Sequence, residues 1–406
     1  VIKRVGTIGL LGLSLFGVFL SGCQRQREPS VTFYLAVLPS EKEAYQPLLR
    51  DFSKQTGIAV NLVAQQYAEI RRALEAEVIA RRGLVDVIEV DVYYLAAMRP
   101  LVKDLTGLIS EENLEGINDE ALDAGRFDGK LYYLPHRLSW QAMVYNSRQI
   151  EAPPATWEEL LQIAQRYPGR MGLKAAQYEG LTCDILSFVW QAGGDPLKMN
   201  DPGCLAAMNF LAAYGKTLNP SARSYKENSI LEAQEKEEIY LHFNWPFVVP
   251  LLQEKQLLPE PNVVAPLPAG PEGKATVLGG GYLAISAVAP HPQEAARLIA
   301  FLTGSEAQRF FVKNLGWMPI RSEAWDVLPE KMREEYHGFI EMAPYVRPRP
   351  PVQYYESLSR LWQQAFRDIV FESKPVKETM DHYAAEAATL RESSTSDVSG
   401  RSENAR

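Results

Sequence analysis

The strongest constraint on the fold is an alternation of strand-type and helix-type segments that begins at Val31. Val31 to Leu38 is rich in β-forming residues, and Ser40 with Glu43 then carries the spacing of a capping box. The helix that it opens reads to about Gln55 and stops at Gly57. Ile58 to Ala64 repeats the strand pattern and Tyr67 to Arg82 the helix. Val85 to Val90 is a third strand, running into Asp91, Tyr93 and Tyr94. A βαβαβ series with short connections implies an α/β fold with a mostly parallel sheet and helices on both faces. Ligands gather at the carboxyl ends of strands in such sheets.

A second α/β region begins near Ala142. Thr156 and Glu159 repeat the capping box, Met171 to Ala175 reads as a short strand, and helices are expected around 181–192 and 203–218. Ile239 to Phe243 is strand-like and leads into Asn244-Trp245-Pro246, where proline suits a helix start, so Trp245 falls at a strand's carboxyl end. Leu257 to Lys274 contains five prolines and reads as a connection, with Val263 to Ala265 a short strand inside it. Thr276 to Ser286 is β-like. Helices are expected over Pro292–Thr303, Ser305–Asn314, 353–372 and 375–391, and the polar residues 393–406 read as a disordered tail.

With 406 residues the chain has room for two or three domains of roughly 150 residues. A charged fraction of 23% beside 46% hydrophobic residues excludes a disordered chain and a multi-span membrane protein, leaving a soluble, globular body. The net charge is −8 and no long basic run occurs, which argues against a nucleic-acid partner. The first residues have export grammar: Lys3 and Arg4, an uncharged apolar run from Val5 to Leu20, then Leu20-Ser21-Gly22-Cys23. This end resembles a bacterial lipobox. It implies a signal peptide over 1–22, lipidation of Cys23 and a tethering linker over 23–30, with an uncleaved anchor as the alternative. Losing Lys3 and Arg4 with the leader would make the remainder still more acidic.

Cys183 and Cys204 are the other two cysteines and are consistent with either a disulfide or two buried thiols. No Cys-x-x-Cys occurs, and His136, His242, His291, His337 and His382 are scattered, so no metal and no cofactor is assigned. Signatures of metalloproteases, phosphate-loop enzymes and hydrolase elbows are absent as well. Gly279-Gly280-Gly281-Tyr282-Leu283-Ala284 fits a loose dinucleotide pattern, but β-like sequence and Pro290 follow instead of a helix. These glycines read better as places where backbone approaches something closely or swings. Asp86, Glu89 and Asp91 invite comparison with a carboxylate cluster; a strand puts Glu89 and Asp91 on one face and Asp86 on the other, where capping or solvation is the simpler role.

Several stretches, taken in order, resemble ABC-transporter extracellular solute-binding proteins of the maltose and trehalose type. They include FSKQTGIAV, VDVIEVDVYYLAAM, GKLYYLPHRLSWQAMVYN, ATWEELL, FVWQAGGD, FNWPF, VLGGGYLAISAVAPHPQEAARLIAFLTGSEAQRFF, LGWMPIR and RPRPP. The resemblance implies a two-lobe periplasmic-binding-protein fold of type II, each lobe a mostly parallel sheet flanked by helices, with the solute between the lobes. The first lobe would hold 31–137 and 279–316, the second 142–275 and 320–390. Crossings would lie near Arg137 to Gln141, Ala275 to Leu278 and Trp317 to Arg321.

A sugar has apolar C–H faces and a rim of hydroxyls, so aromatic rings cover the faces while carboxylates, amides and guanidiniums bind the rim. The candidate ligand-binding residues on this reading are Trp245, Tyr282, Gly280, Gly281, Glu41, Asp91, Tyr93 and Arg349, with Gln66 and Tyr67 before the second helix. Arg137 and Ser139 join them at the first crossing. Ser139 departs from the pattern, because sugar binders of this group usually place a carboxylate there, and its neighbours His136, Arg137, Trp140 and Gln141 make the crossing more basic and aromatic. A polyol glycoside, or an anionic sugar neutralised by Arg137, is then an alternative to a disaccharide. His136 and Trp140 are equally readable as hinge packing. No catalytic residue is assigned. The leading expectation is a monomeric binding lipoprotein, not an enzyme, facing the periplasm or cell exterior and delivering a carbohydrate to membrane permease subunits. A secreted carbohydrate-active enzyme using Glu41 or Asp91, and a sensory solute-binding lipoprotein, are the competing readings.

Overall fold

The computed structural model describes residues 29–37 and 39–403, so the leader and Cys23 lie outside the described residues. The opening alternation forms as expected: β1 (Ser30–Leu35), α1 (Pro39–Thr56), β2 (Ala59–Ala64), α2 (Tyr67–Ala80) and β3 (Val87–Asp91). Gly57, at φ 71°, turns the chain out of α1. Gln66 is the N-cap of α2, where its backbone N–H donates to Glu69 Oε2 at 3.1 Å. Then come β4 (Leu134–Ser139), β5 (Ala142–Asn146), α3 (Trp157–Arg166), α4 (Glu179–Gln191), α5 (Pro202–Gly215), β6 (Leu241–Asn244) and β7 (Asn262–Ala265). The chain returns through β8 (Gly279–Ile285), α6 (Pro292–Thr303) and α7 (Ser305–Leu315), and ends with α8 (Tyr355–Phe366) and α9 (Val376–Glu403).

Two sheets organise these elements. The first has the order β2-β1-β3-β8-β4, with β1 parallel to β2 and β3 and with β8 antiparallel to β3 and β4. The second has the order β6-β5-β7, with β5 antiparallel to both neighbours. Thr276–Val277 and Val346–Arg347 form a separate parallel pair. Within the two sheets the mostly parallel pairing expected for each lobe therefore holds only among β1, β2 and β3. The cause is the crossing topology: a strand that enters a lobe from the hinge meets the carboxyl ends of the resident strands and must run against them.

The hinge is three chain segments lying side by side. Ser139 pairs with Gly279, Leu138 N–H donates to Met318 O at 3.0 Å, and Gln141 Nε2 reaches across to Asp184 Oδ1 at 2.7 Å. That carboxylate also holds the buried Lys174 ammonium at 2.6 Å and the Lys174 amide at 3.2 Å. Because the Lys174 amide is spent on a side chain, Met171–Ala175 does not form the expected strand, and only Met171 bridges to Leu218 and Leu241. Trp140 is buried in the hinge, its indole N–H donating to Phe339 O at 2.7 Å.

Two expected boundaries differ. Residues 320–328 stay with the first lobe: Ala324 and Leu328 pack with Val312 of α7. The Arg321 guanidinium donates to Thr303 O and Asn113 O at 2.7 Å each, and also to Glu115 O. The second lobe resumes nearer the helix His337–Met342, where Gly338 lies against Ala265 of β7. Helix α9 is helical to Glu403, through residues expected to be disordered from Ser393; nothing before Gly400 breaks a helix already packed through Met380, Tyr383 and Ala387.

Asp86 is neither solvated nor free. Its buried carboxylate accepts from the backbone N–H of Thr32 and of His291, both at 2.9 Å, tying β1 to the start of α6. Replacing Asp86 by Ala strands two donors in the first-lobe core, so the variant is expected to lose about 2 to 4 kcal/mol of stability. A urea melt reads this as a lower midpoint; an unchanged midpoint refutes the role.

Candidate functional site

The carboxyl end of β3 and the two strands beside it define a trough. In register, Asp91 of β3 faces Gly281 of β8, which faces Arg137 of β4. Two strand spacings separate the outer pair by about 10 Å. Beneath the middle position runs the Glu89 side chain: a Cβ added to Gly281 would lie 2.0 Å from Glu89 Oε1, so only glycine fits there. Gly280 sits at φ 131°, and the register between β8 and β4 shifts one residue on, between Gly281 and Tyr282.

Glu89 is fully buried and fully satisfied. Arg137 donates to it twice, Nε to Oε1 and Nη2 to Oε2, both at 3.0 Å. His136 Nδ1 lies 2.9 Å from Oε1, and Ala36 N–H donates to Oε2 at 3.2 Å. Burial alone would raise the Glu89 carboxyl, but Arg137 and the His136 hydrogen bond outweigh it and hold the group below the usual carboxylate range. His136 is buried against Tyr45, whose hydroxyl is 2.8 Å from Nε2, and burial holds the imidazole below its usual range. Arg137 Nη2 also donates to Ala36 O at 2.6 Å and to Tyr67 Oη at 3.1 Å, and the guanidinium lies 4.3 Å over the Trp317 ring. The Trp317 indole N–H in turn donates to Glu41 Oε1 at 2.9 Å. The counter-ion position at Arg137, expected to be open for an anionic sugar, is therefore taken by Glu89.

A second cluster joins the two lobes. Arg349, 6% exposed, donates through Nη2 to Asp91 Oδ1 at 3.2 Å and through Nη1 to Glu179 Oε1 at 2.9 Å. Tyr355 Oη donates to Glu179 Oε1 at 2.7 Å and Ser359 Oγ to Oε2 at 2.6 Å. The Arg349 guanidinium lies 5.0 Å from the Tyr93 ring centroid, and its Nε is buried with no partner among the described residues. Farther out, Arg71 of α2 pairs with Glu356 of α8 at 2.7 Å and lies over the Tyr94 ring at 4.9 Å. Glu179, Tyr355 and Ser359 were not singled out from the sequence; the only signal was Arg349 itself, a cation among prolines that needs counter-charge once buried.

Trp245 follows the end of β6, half-buried, with its ring against the hinge strand. A Cβ on Gly279 would meet the ring at 2.9 Å and the Ser139 carbonyl at 3.3 Å, so glycine again permits the approach and sets Trp245 beside Ser139. Gln66 is exposed at its helix cap. Tyr282 is a correction: it is 0% exposed and its hydroxyl donates to Ala121 O at 2.9 Å, inside the first lobe. Strand alternation requires this, since Gly281 faces the trough and its neighbour must face away. Cys183 and Cys204 are free and buried, and Cys183 Sγ lies 3.7 Å from Arg349 Nη1.

Two α/β lobes joined by adjacent crossings, with side chains of both meeting at the hinge face, define a two-lobe binding protein of type II. A family model described as bacterial extracellular solute-binding protein matches residues 48–335. The chain belongs to that family. A probable ABC transporter-binding protein of Deinococcus radiodurans is 29% identical over 285 residues, 64% of this chain and 68% of the relative. The maltotriose-binding protein of Pyrococcus abyssi is 22% identical over 338 residues, 77% of this chain and 72% of the relative. Among solved structures, maltose-bound T. maritima MalE3 superposes with a TM-score of 0.77 at 24% identity, over 89% of this chain and 99% of that one. The protein is thus an exported solute-binding protein of an ABC transporter, from a family of binders of small ligands that work with permease components. No helix among the described residues is long and apolar enough to cross a membrane.

Burial raises the Asp91 carboxyl from 3.8 to about 6, with Arg349 opposing the rise. The stability contributed by neutral Asp91 is present below the ordinary value and is lost as pH climbs through about 6. Carbon-13 NMR of the Asp91 carboxyl should titrate near pH 6, and higher still in Arg349→Met. A midpoint at the ordinary value in both proteins refutes the burial.

Proposed function

We propose that the protein captures a carbohydrate, a di- or oligosaccharide or a glycosyl-polyol, between its lobes and presents the closed form to the permease. The observation that carries this reading is the convergence of both lobes on one polar and aromatic site. Asp91, Tyr93, Arg137, Tyr67 and Glu41 come from the first lobe, Trp245 and Arg349 from the second, with Ser139, Gly280 and Gly281 at the hinge face. A ring beside a glycine-floored trough suits a pyranose face, and paired carboxylates and guanidiniums suit its hydroxyls. Names among the relatives and neighbours divide: a maltotriose binder and a maltose complex favour this ligand class, while a putative 2-aminoethylphosphonate-binding protein of Salmonella typhi, 26% identical over 77% of this chain, does not. Lipidation at Cys23 would tether the body to a membrane.

The mechanism needs no bond chemistry. Solute meets one lobe, the hinge closes, and only the free energy that differs between open and closed forms drives closure. Contacts from the second lobe are therefore the ones that convert binding into closure. Two measurements test this. A thermal-shift screen over mono-, di- and oligosaccharides and glycosyl-polyols should raise the melting temperature with at least one class, since a bound ligand adds RT ln(1 + [L]/Kd) to stability. Trp245→Ala should weaken that sugar by at least ~2 kcal/mol in calorimetry, as loss of an aromatic anchor does. Unchanged affinity removes Trp245 from the site, and no shift with any carbohydrate removes the ligand class.

A further inference from the structure

The proposed carbohydrate site has a charge imbalance that speaks to which sugars it admits. Arg137 is spent twice on Glu89 and once each on Ala36 O and Tyr67, with its face on Trp317. Arg349 is spent on two carboxylates at once, Asp91 and Glu179, and on Leu278 O, and only its buried Nε lacks a partner among the described residues. Two guanidiniums therefore face three carboxylates, and the surplus is negative. The same imbalance continues outward at Arg71, which is shared between Glu75 at 2.9 Å and Glu356 at 2.7 Å. Glu41, hydrogen-bonded to Trp317 beside Arg137, adds a further carboxylate to the same side. Asp91 is the member open to a solute: 23% of its side chain is exposed, and its hydrogen bonds among the described residues all end on Oδ1, leaving Oδ2 as an acceptor.

We infer that the cleft discriminates by charge, admitting neutral sugars and preferring those that carry an ammonium group, while excluding phosphorylated or otherwise anionic ones. This rests on the carbohydrate reading and deepens it. A phosphate entering the trough would find each guanidinium already facing a carboxylate, and would have to displace Glu89, Asp91 or Glu179 or sit beside them. Like charges at close range in a partly buried site are among the most effective rejecting devices. An ammonium replacing a sugar hydroxyl near Asp91 Oδ2 would instead complete the unequal pairing around Arg349.

Isothermal calorimetry of the full chain at pH 7.5 with maltose, its 2-amino-2-deoxy analogue and maltose 6′-phosphate tests the inference. The expected order is the amino analogue at least equal to maltose, and the phosphate weaker than maltose by about tenfold or more. Asp91→Asn and Glu179→Gln, each checked for an intact fold by circular dichroism, should shrink the ratio between the amino and phosphate ligands. A purely structural role for these carboxylates would weaken all three sugars alike and overturns the inference. Phosphate binding as tight as maltose overturns it too while leaving the carbohydrate reading standing. Absence of heat from all three sugars removes both for this ligand series.

Discussion

Arg349 is the interaction on which the arrangement of the two lobes turns. A buried guanidinium is tolerable only when it is paired and hydrogen-bonded, and here the partners come from both sides of the hinge. Glu179 belongs to the same lobe as Arg349 and can remain with it when the lobes part. Asp91 belongs to the other lobe and would pass to water. The asymmetry matters for a reversible hinge: opening separates two ion pairs, Arg349–Asp91 and Arg71–Glu356, without stranding a buried charge, because each arginine keeps a carboxylate of its own lobe, Glu179 and Glu75. Arg137 and Glu89 obey the same logic wholly within the first lobe. Each lobe thus carries its own charge compensation, and the link across the hinge is the Asp91 contact with its flanking Tyr93 and Arg71 interactions.

The glycines of the returning strand complement this. Gly281 makes room for Glu89 to pass under the trough, and Gly279 makes room for Trp245 to reach the hinge strand. Any side chain at either position would collide with what already lies there, the Glu89 carboxylate at Gly281 and the Trp245 ring at Gly279. The trough is therefore made by backbone and bordered by Asp91, Arg137, Ser139 and Trp245.

Much of the architecture was readable from the chain. The β1-to-β3 series, the Thr156 helix cap and the strand ahead of Trp245 follow from local periodicity and end signals, although Glu159 accepts from Ala155 N–H instead of closing a capping box. Glu89 and Asp91 were assigned to one face by period two alone, correctly in the register found. The same rule, applied to Gly281 and Tyr282, would have sent the tyrosine into the core. Alternation outweighs the aromatic character of Tyr282: with Gly281 on one side of β8, the ring falls on the other. Met171–Ala175 has strand-like composition, but a distant aspartate claims the Lys174 amide, which no local pattern reveals.

By itself the sequence determined the α/β class, the two-lobe organisation through its ordered family stretches, and the position of Trp245, Asp91 and Arg349 near strand ends or hinge segments. Those properties depend on neighbours a few residues away. Only the tertiary structure decided that Arg349 meets Asp91 and Glu179, that Glu89 neutralises Arg137, and that 320–328 remain with the first lobe. These contacts join residues separated by 258, 170 and 48 positions in the chain. Their pairing is settled by which faces the two sheets bury and by the need to satisfy every buried charge, and neither constraint acts locally.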